Sequence, residues 1–424
     1  MDGFLGYLKK VYNIQENLLD VLEQAAHDCL PYYQRVQKRV EYNQAKVLHA
    51  FQLNNVSDFH LNGSTGYGYG DSGREVLEEV FATVFNAEKA LVRCQIVSGT
   101  HALALGLLGN LSRGDEMIAV TGRPYDTLQK VIGFHQEPGS LRENGVIYRE
   151  LPLTEEGKLD LPGLCRLMTA RTKLLLFQRS RGYEWRPSAT VQELEKAIGA
   201  VKKLYPQVIC MVDNCYGEFV DTQEPSDIGA DLTAGSLIKN PGGGLALTGG
   251  YLAGKAEYIE RASVRLTAPG IGPGVGASLN FNRHAYQGLF MAPLIVGEAV
   301  KGAILAANFF AALGYPVLPQ FHEERTDIIQ AVQLGSRESM VKFCQGLQKA
   351  CPLDAQARPE PALLPGYTDE VIMAGGTFIQ GSSIELSADG PIRPPYNVYL
   401  QGGLSLGHIK TGIALAAREM LADQ

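Results

Sequence analysis

Apolar positions near the N-terminus recur at helical spacing. Ile14, Leu18, Val21, Leu22, Ala25 and Cys29 fall on one face. Asn13, followed three residues later by Glu16, has the form of a helix cap, and Pro31 follows the expected end. A second helix is predicted from Tyr33 to about Phe51. From about residue 60 to 290 the pattern changes to short apolar runs alternating with helical periods. Met117–Val120, Lys173–Phe177, Val208–Val212 and Gly250–Ala253 read as strands; Arg74–Phe85, Ala102–Leu111 and Val191–Leu204 read as helices. This alternation predicts an α/β fold with a mostly parallel sheet covered by helices. The most apolar stretch, Phe290–Leu318, carries Glu298 and Lys301 and is broken by Pro293, Gly314 and Pro316. Charges there would be costly in lipid, so a buried helix is expected rather than a membrane span. A Pro-rich loop (Pro352–Pro365), strands at Val371–Ile379 and Ser382–Ser387, and a closing helix from about Ser405 to Leu421 follow. The expected organisation is a helical N-terminal arm (1–59), a large α/β domain (60–290) and a small α+β C-terminal domain (291–424), without internal repeats.

Composition narrows the class. Of 424 residues, 45% are hydrophobic and 20% charged, which allows a sizeable core and excludes wholesale disorder. Lys plus Arg is 38 against 45 Asp plus Glu, a net charge of −7, which argues against a nucleic-acid binder. The seven cysteines form no C-x-x-C pair, which fits a reducing cytoplasm, and the N-terminus lacks a basic-then-apolar secretion signal. The eight histidines show no ligand spacing, so no metal site is expected.

Two glycine patterns mislead. Gly68, Gly70 and Gly73 spell G-x-G-x-x-G, but the preceding residues are polar and position 93 is Arg93, not an acid. Gly249, Gly254 and Lys255 approximate a phosphate loop, but Ala256 follows where a hydroxyl is needed for magnesium.

Four other segments carry chemistry in sequence order. Ser98-Gly99-Thr100-His101-Ala102 follows apolar Ile96-Val97 and opens a helix, where unpaired N–H groups can hold a phosphate, although Ser98 and Thr100 also suit ordinary caps. Gly122-Arg123-Pro124-Tyr125-Asp126-Thr127 follows a strand, and Tyr125 could lie flat over an aromatic ring or simply pack locally. Asp213 ends a strand, the mouth of the crevice in an open α/β sheet, or else serves as a turn residue. Lys239 lies in Ser236-Leu237-Ile238-Lys239-Asn240-Pro241, before Gly242-Gly243-Gly244. Lysine prefers open solvent, and a desolvated amine with a depressed pKa can attack a carbonyl to give a Schiff base. The glycines after it would admit something bulky to the backbone. A surface turn lysine is the plainer alternative. Together these are the parts of a pyridoxal 5'-phosphate (PLP) site: phosphate cup, ring stacker, carboxylate and lysine. The carboxylate keeps the ring nitrogen protonated; opposite charges near contact attract by about 4 kcal/mol at an effective dielectric of ~20.

With these motifs in view the chain resembles the fold-type I PLP enzymes, and within them the cystathionine beta-lyase/methionine gamma-lyase-like group of aluminium resistance proteins. The resemblance is carried by Gly66-Tyr67-Gly68-Tyr69-Gly70-Asp71, Val97-Ser98-Gly99-Thr100-His101-Ala102, Pro124-Tyr125-Asp126-Thr127, Gln178-Arg179-Ser180-Arg181-Gly182-Tyr183, Val212-Asp213-Asn214-Cys215-Tyr216-Gly217-Glu218-Phe219 and Ser236-Leu237-Ile238-Lys239-Asn240-Pro241-Gly242-Gly243, over roughly residues 10–420. It implies a large domain around a mostly parallel seven-stranded sheet, PLP as cofactor, and a carbon–sulfur lyase acting on a sulfur-containing amino acid. Lys239 would carry the cofactor and shuttle the proton at Cα, and Asp213 would pair with the pyridine nitrogen. Ser98, Gly99, Thr100 and Ser236 would surround the phosphate, and Tyr125 would stack on the ring and stand beside the chemistry. Tyr67, Tyr69 and Arg74 resemble the segment that reaches a neighbouring subunit's phosphate, which implies a homodimer or homotetramer with shared sites. Ser72 and Glu75 also make a capping box, which would leave Arg74 an exposed first-turn residue.

Arg393, in Gly390-Pro391-Ile392-Arg393-Pro394-Pro395, would hold the substrate α-carboxylate, with a loop arginine as the alternative. Gln178, Arg179 and Ser180 stand where the true cystathionine lyases have an Asn-Pro pair, so they are candidate substrate contacts and the substrate itself is left open. Two competing readings share the scaffold: another PLP transferase, such as an aminotransferase or γ-replacement enzyme, and a PLP-binding protein that turns nothing over. Neither a nucleic-acid partner nor a membrane is expected.

Overall fold

The computed structural model describes residues 3–363 and 367–422. The chain divides into two compact units: Tyr42–Gly182 with Pro187–Pro293, and Met1–Glu41 with Tyr183–Arg186 and Leu294–Gln424. Residues of the N-terminal arm are thus shared between the two.

Helices α1 (Phe4–Tyr12), α2 (Glu16–Asp28) and α3 (Leu30–Leu53) open the chain. The predicted stripe is real, with Leu18, Leu22, Ala25 and Cys29 all buried. Asn13 does not cap α2: it takes a left-handed conformation (φ 53°) and closes α1. Pro31 lies in the first turn of α3, where its missing N–H costs nothing.

The first unit is built on seven strands interleaved with helices: α4 (Ser72–Val84), β1 (Lys89–Arg93), α5 (Gly99–Asn110), β2 (Glu116–Ala119), α6 (Asp126–Ile132), β3 (Ile147–Glu150), α7 (Leu161–Leu167), β4 (Thr172–Gln178), α8 (Val191–Leu204), β5 (Ile209–Asp213), β6 (Leu232–Ser236), β7 (Gly250–Gly254) and α9 (Ala256–Leu266). The sheet order is β1-β7-β6-β5-β4-β2-β3. The four pairings from β3 through β6 are parallel, whereas β7 runs antiparallel to both β6 and β1. Two reversals leave β1 parallel to β6, so the chain leaves β1, β2, β4, β5 and β6 at the same edge. Both faces are covered, which is why β5 reads as a continuous apolar run. Ile209 and Met211 pack with Leu103 and Leu107 of α5 and Ile259 of α9; Cys210 and Val212 pack with Leu194, Ile198 and Val201 of α8. Helix α8 starts where the sequence placed it, behind a Thr190–Glu193 capping box.

The second unit contains most of α10 (Phe281–Ala312), then β8 (Val317–Leu318), β9 (Ile329–Gln333), α11 (Arg337–Gln348), β10 (Ala362–Leu363), β11 (Glu370–Ala374), β12 (Ser387–Pro391), β13 (Asn397–Gln401) and α12 (Leu406–Leu421). Its six strands form an antiparallel sheet in the order β10-β11-β12-β13-β9-β8. The strand expected at Ser382–Ser387 begins only at Ser387. The Pro-rich loop holds the short β10, and its residues 364–366 lie outside the described residues. Among the described residues one helix, α10, is long and apolar enough to cross a membrane, but 67% of its most apolar window is buried inside the protein. Its Glu298 and Lys301 serve local structure. Lys301 Nζ lies 3.0 Å from Glu298 Oε1, and Glu298 Oε2 accepts the Leu406 N–H at the start of α12 (2.8 Å).

Candidate active site

The residues singled out between 98 and 239 come from different connections, yet the sheet gathers them at one edge. Gln178, the last residue of β4, stands opposite Asp213, the last of β5, and Asp213 stands opposite Ala234 of β6. Ser236 ends β6, and Lys239 follows three residues later. All lie in the first unit.

The helix start forms as expected. Ser98 caps α5: its hydroxyl accepts the His101 N–H (3.0 Å) and its carbonyl the Ala102 N–H (3.0 Å). The Gly99 and Thr100 N–H groups therefore have no partner within the helix. A Cβ at position 99 would lie 3.2 Å from Cys215 Sγ and 3.4 Å from Ser236 Cβ, so glycine keeps this corner open. Thr100 Oγ1 is 3.0 Å from both the Tyr125 phenol oxygen and Thr127 Oγ1. The Tyr125 N–H donates to Gln178 Oε1 (3.3 Å), and Gln178 Nε2 donates to the Ser180 carbonyl (3.1 Å). Gln178 thus anchors the backbone of the loop that carries Tyr125.

Asp213 is buried and receives the Cys215 N–H at Oδ1 (3.1 Å). Burial raises its carboxyl above the ordinary range, against the opposing pull of Lys239 and Cys215. Burial also lifts the Tyr125 phenol, with Asp213 and Cys215 adding to it, so this group stays protonated. For Lys239, burial acts to lower the amine, as expected from sequence. The facing Cys215, Tyr216, Asp213 and Tyr125 more than offset it, so the amine is held above the ordinary lysine value. Lys239 Nζ stands 3.9 Å from the centroid of the Tyr216 ring, in cation–π contact. Tyr216 is the site residue whose contact the pattern did not reveal. Its place three residues after Asp213 was visible, but its left-handed backbone (φ 73°) was not.

The glycines after Lys239 have a different cause from the one expected. A Cβ at Gly242 would sit 1.7 Å from the Leu237 carbonyl oxygen, and one at Gly243 would sit 2.3 Å from the Gly288 carbonyl oxygen on α10. They admit the protein's own backbone, which pins the lysine turn.

Arg179 is wholly buried, donates to Asn214 Oδ1 (2.8 Å) and lies 3.9 Å from Glu224. It braces the turn behind Asp213. The Tyr67 and Tyr69 rings stack on one another (5.5 Å) and are 74% and 72% exposed. Asp71, not Ser72, caps α4, accepting the Arg74 N–H (2.9 Å). Arg74 is not an exposed first-turn residue: it is buried, and its Nη1 donates to the Gly68 (2.8 Å) and Gly276 (2.7 Å) carbonyls, clasping the tyrosine loop. In the second unit, Arg393 lies 3.0 Å from Asp369 and 3.7 Å from Glu184, with its side chain 47% exposed. The described residues contain no cluster of His, Cys, Asp and Glu able to hold a metal ion.

The donor set fits PLP. The buried Asp213 carboxyl and the half-buried Lys239 amine face one another near a helix start kept open by Gly99, with Thr100, Ser236 and Tyr125 nearby. A pyridinium would add its positive charge to that of Lys239 beside Asp213, whose carboxyl burial has lifted.

The sequence model for methionine gamma-lyase matches residues 18–421. The chain is 48% identical over 399 residues to the uncharacterized protein YnbB of Bacillus subtilis (strain 168), covering 94% of this chain and 95% of YnbB. A solved structure from Clostridium acetobutylicum, provisionally described as a cystathionine beta-lyase involved in aluminum resistance, is 45% identical and covers 99% of each chain with a TM-score of 0.97. A carbon-sulfur lyase involved in aluminum resistance from Clostridium novyi NT is 47% identical over 97% of each chain, with a TM-score of 0.93. At 16% identity the pyridoxal-5'-phosphate dependent protein YhfS of Escherichia coli shares the fold alone, covering 92% of this chain and 97% of that one (TM-score 0.60). The fold is that of the fold-type I PLP enzymes, and the chain belongs to the methionine gamma-lyase family.

Proposed function

We propose that this protein is a PLP-dependent carbon–sulfur lyase that releases a thiol, ammonia and a 2-oxo acid from a sulfur-containing amino acid. The observation that carries the reading is half-buried Lys239 facing buried Asp213 beyond the strand ends, beside the open N–H groups of Gly99 and Thr100. The names of the Clostridium relatives, a cystathionine beta-lyase and a carbon-sulfur lyase, point to the same reaction class.

Lys239 would hold the cofactor covalently, Asp213 its ring nitrogen, Gly99, Thr100 and Ser236 its phosphate, and Tyr125 its ring face. Bound there, PLP supplies an electron sink for the bonds at the substrate Cα. The chain's own residues do the rest. Lys239 Nζ, once free, takes the proton from Cα and can return it to the neighbouring carbon. Asp213 keeps a negative charge under the ring nitrogen. Tyr125 stays neutral, a donor to Thr100 or to a ligand rather than a base. Arg393 is proposed for the substrate carboxylate, which would have to draw the guanidinium from Asp369 and Glu184.

The exposed Tyr67–Tyr69 pair, clasped by Arg74, is offered to a second copy of the chain, which makes the working form a dimer or a pair of dimers. The reaction class is tested by incubating the purified protein with PLP and a panel of sulfur amino acids, including cystathionine and methionine. Free ammonia, thiol and 2-oxo acid together support the lyase. Pyridoxamine phosphate without ammonia would make it an aminotransferase, and binding without turnover would remove it from the enzymes.

A further inference from the structure

Behind the lysine lies a buried acid that the reaction above does not use. Glu218 is wholly buried, five residues after Asp213. Its Oε1 accepts the Tyr251 hydroxyl (2.9 Å), whereas its Oε2 has no hydrogen-bond partner among the described residues. Its main-chain carbonyl accepts Asn240 Nδ2 (3.0 Å), from the residue that follows Lys239. The niche is cut by a glycine: a Cβ at Gly235, on the strand leading to Lys239, would stand 2.5 Å from Glu218 Oε1 and 2.6 Å from the Tyr251 ring. Two non-glycine residues flank it in the left-handed region, Tyr216 (φ 73°) and Phe219 (φ 63°). Such strain persists where the surroundings over-determine it. Here it sets the Tyr216 ring against Lys239 Nζ and Glu218 beneath the same turn.

We infer that Glu218 is a positioning residue for Lys239, a buried carboxyl whose charge state is coupled to that of the lysine amine. The groups facing it are Tyr251 from β7, Glu224 and Cys215 from its own turn, and Lys239 from the loop after β6. Glu224 is itself faced by Arg179 and Lys46. Burial pushes Glu218 up to about 8; Glu224 adds to this, while Tyr251 and Lys239 pull it back. A carboxyl with one oxygen unpartnered is best accommodated neutral. Its ionisation places a second anion near Lys239 and holds that amine as ammonium, the form that cannot take a proton from Cα. Coupling of this kind is reciprocal: whatever removes the lysine charge must raise the proton affinity of Glu218.

The inference rests on the proposed function only for the role given to Lys239, and its test needs no cofactor. The infrared carbonyl band of protonated carboxyl groups is followed against pH in the full chain, and the Glu218→Gln spectrum is subtracted. A band lost around pH 8 is expected. In Lys239→Ala its midpoint moves up by about one pH unit, a tenfold gain in proton affinity. Should Glu218→Gln fail to fold, Tyr251→Phe, which removes the donor that favours the ionised form, must also raise the midpoint. A midpoint in the ordinary glutamate range, or one that Lys239→Ala does not move, overturns the coupling. Failure to bind PLP alongside a shifted midpoint would instead sink the functional proposal and leave the coupling standing.

Discussion

Thr100 Oγ1 and the Tyr125 hydroxyl stand 3.0 Å apart, joining the start of α5 to the loop after β2. The contact ties the proposed phosphate holder to the proposed ring stacker. Tyr125→Phe removes one hydrogen bond and keeps the ring. A net bond of this kind is worth about 1 kcal/mol, so PLP affinity should fall about fivefold. Equilibrium dialysis measures it; an unchanged dissociation constant would show that the hydroxyl has no part in holding the cofactor.

Asp213→Asn separates stability from binding. The Asp213 carboxyl is raised by burial, so the folded chain binds its proton more tightly than the unfolded chain does. Stability from this group is therefore greatest at low pH and is lost as pH climbs from the ordinary carboxylate range through the folded value. The amide carries no such penalty. Cofactor-free Asp213→Asn should melt no lower than the parent above neutral pH, while its PLP affinity and lyase rate drop by at least about tenfold, equivalent to ~1.4 kcal/mol. Thermal melts across pH, with and without PLP, read both effects.

The site was legible because its chemistry is local in sequence even though its assembly is not. Ser98 at a helix start, Asp213 at a strand end and Lys239 in a small-residue segment each announce themselves through residue type and neighbours. The seven strands were less legible. β6 reads Leu-Thr-Ala-Gly-Ser, too short and too small-sided for an apolar-run search, and β1 reads Lys-Ala-Leu-Val-Arg with charges at both ends. Packing makes both of them strands. Gly235 must be bare because Glu218 and Tyr251 occupy its Cβ space, a constraint set by residues from other elements. The same holds for Gly242, whose close neighbour is a carbonyl five residues back, and for Arg74, whose burial depends on the distant loop at Gly276.

Gly242→Ala tests that packing. The added methyl would lie 1.7 Å from the Leu237 carbonyl oxygen, so the lysine turn must shift. Overpacking costs typically 1–3 kcal/mol. The variant should melt lower and bind PLP more weakly, whereas Gly114→Ala, where the space is open but φ is 90°, should lose stability without losing cofactor affinity. Equal PLP affinity in Gly242→Ala and the parent would mean that the turn's position is not set here.

Arg74→Met separates the clasp from the chemistry. The guanidinium donates to the Gly68 and Gly276 carbonyls, and methionine keeps the apolar stem while leaving both without this donor. Each buried carbonyl left unsatisfied costs about 1–3 kcal/mol, but these lie in loops that can open to water, so the loss should sit at the lower end. The tyrosine loop then frees itself from its support. Hydrogen exchange at Gly276, whose N–H donates to the Tyr67 carbonyl (2.9 Å), should accelerate well beyond that of the β5 amides. If the Tyr67–Tyr69 pair engages a second copy, the variant should also dissociate at higher protein concentration than the parent in sedimentation velocity. Faster exchange with unchanged assembly would confine Arg74 to the loop and leave the proposed subunit contact without its support.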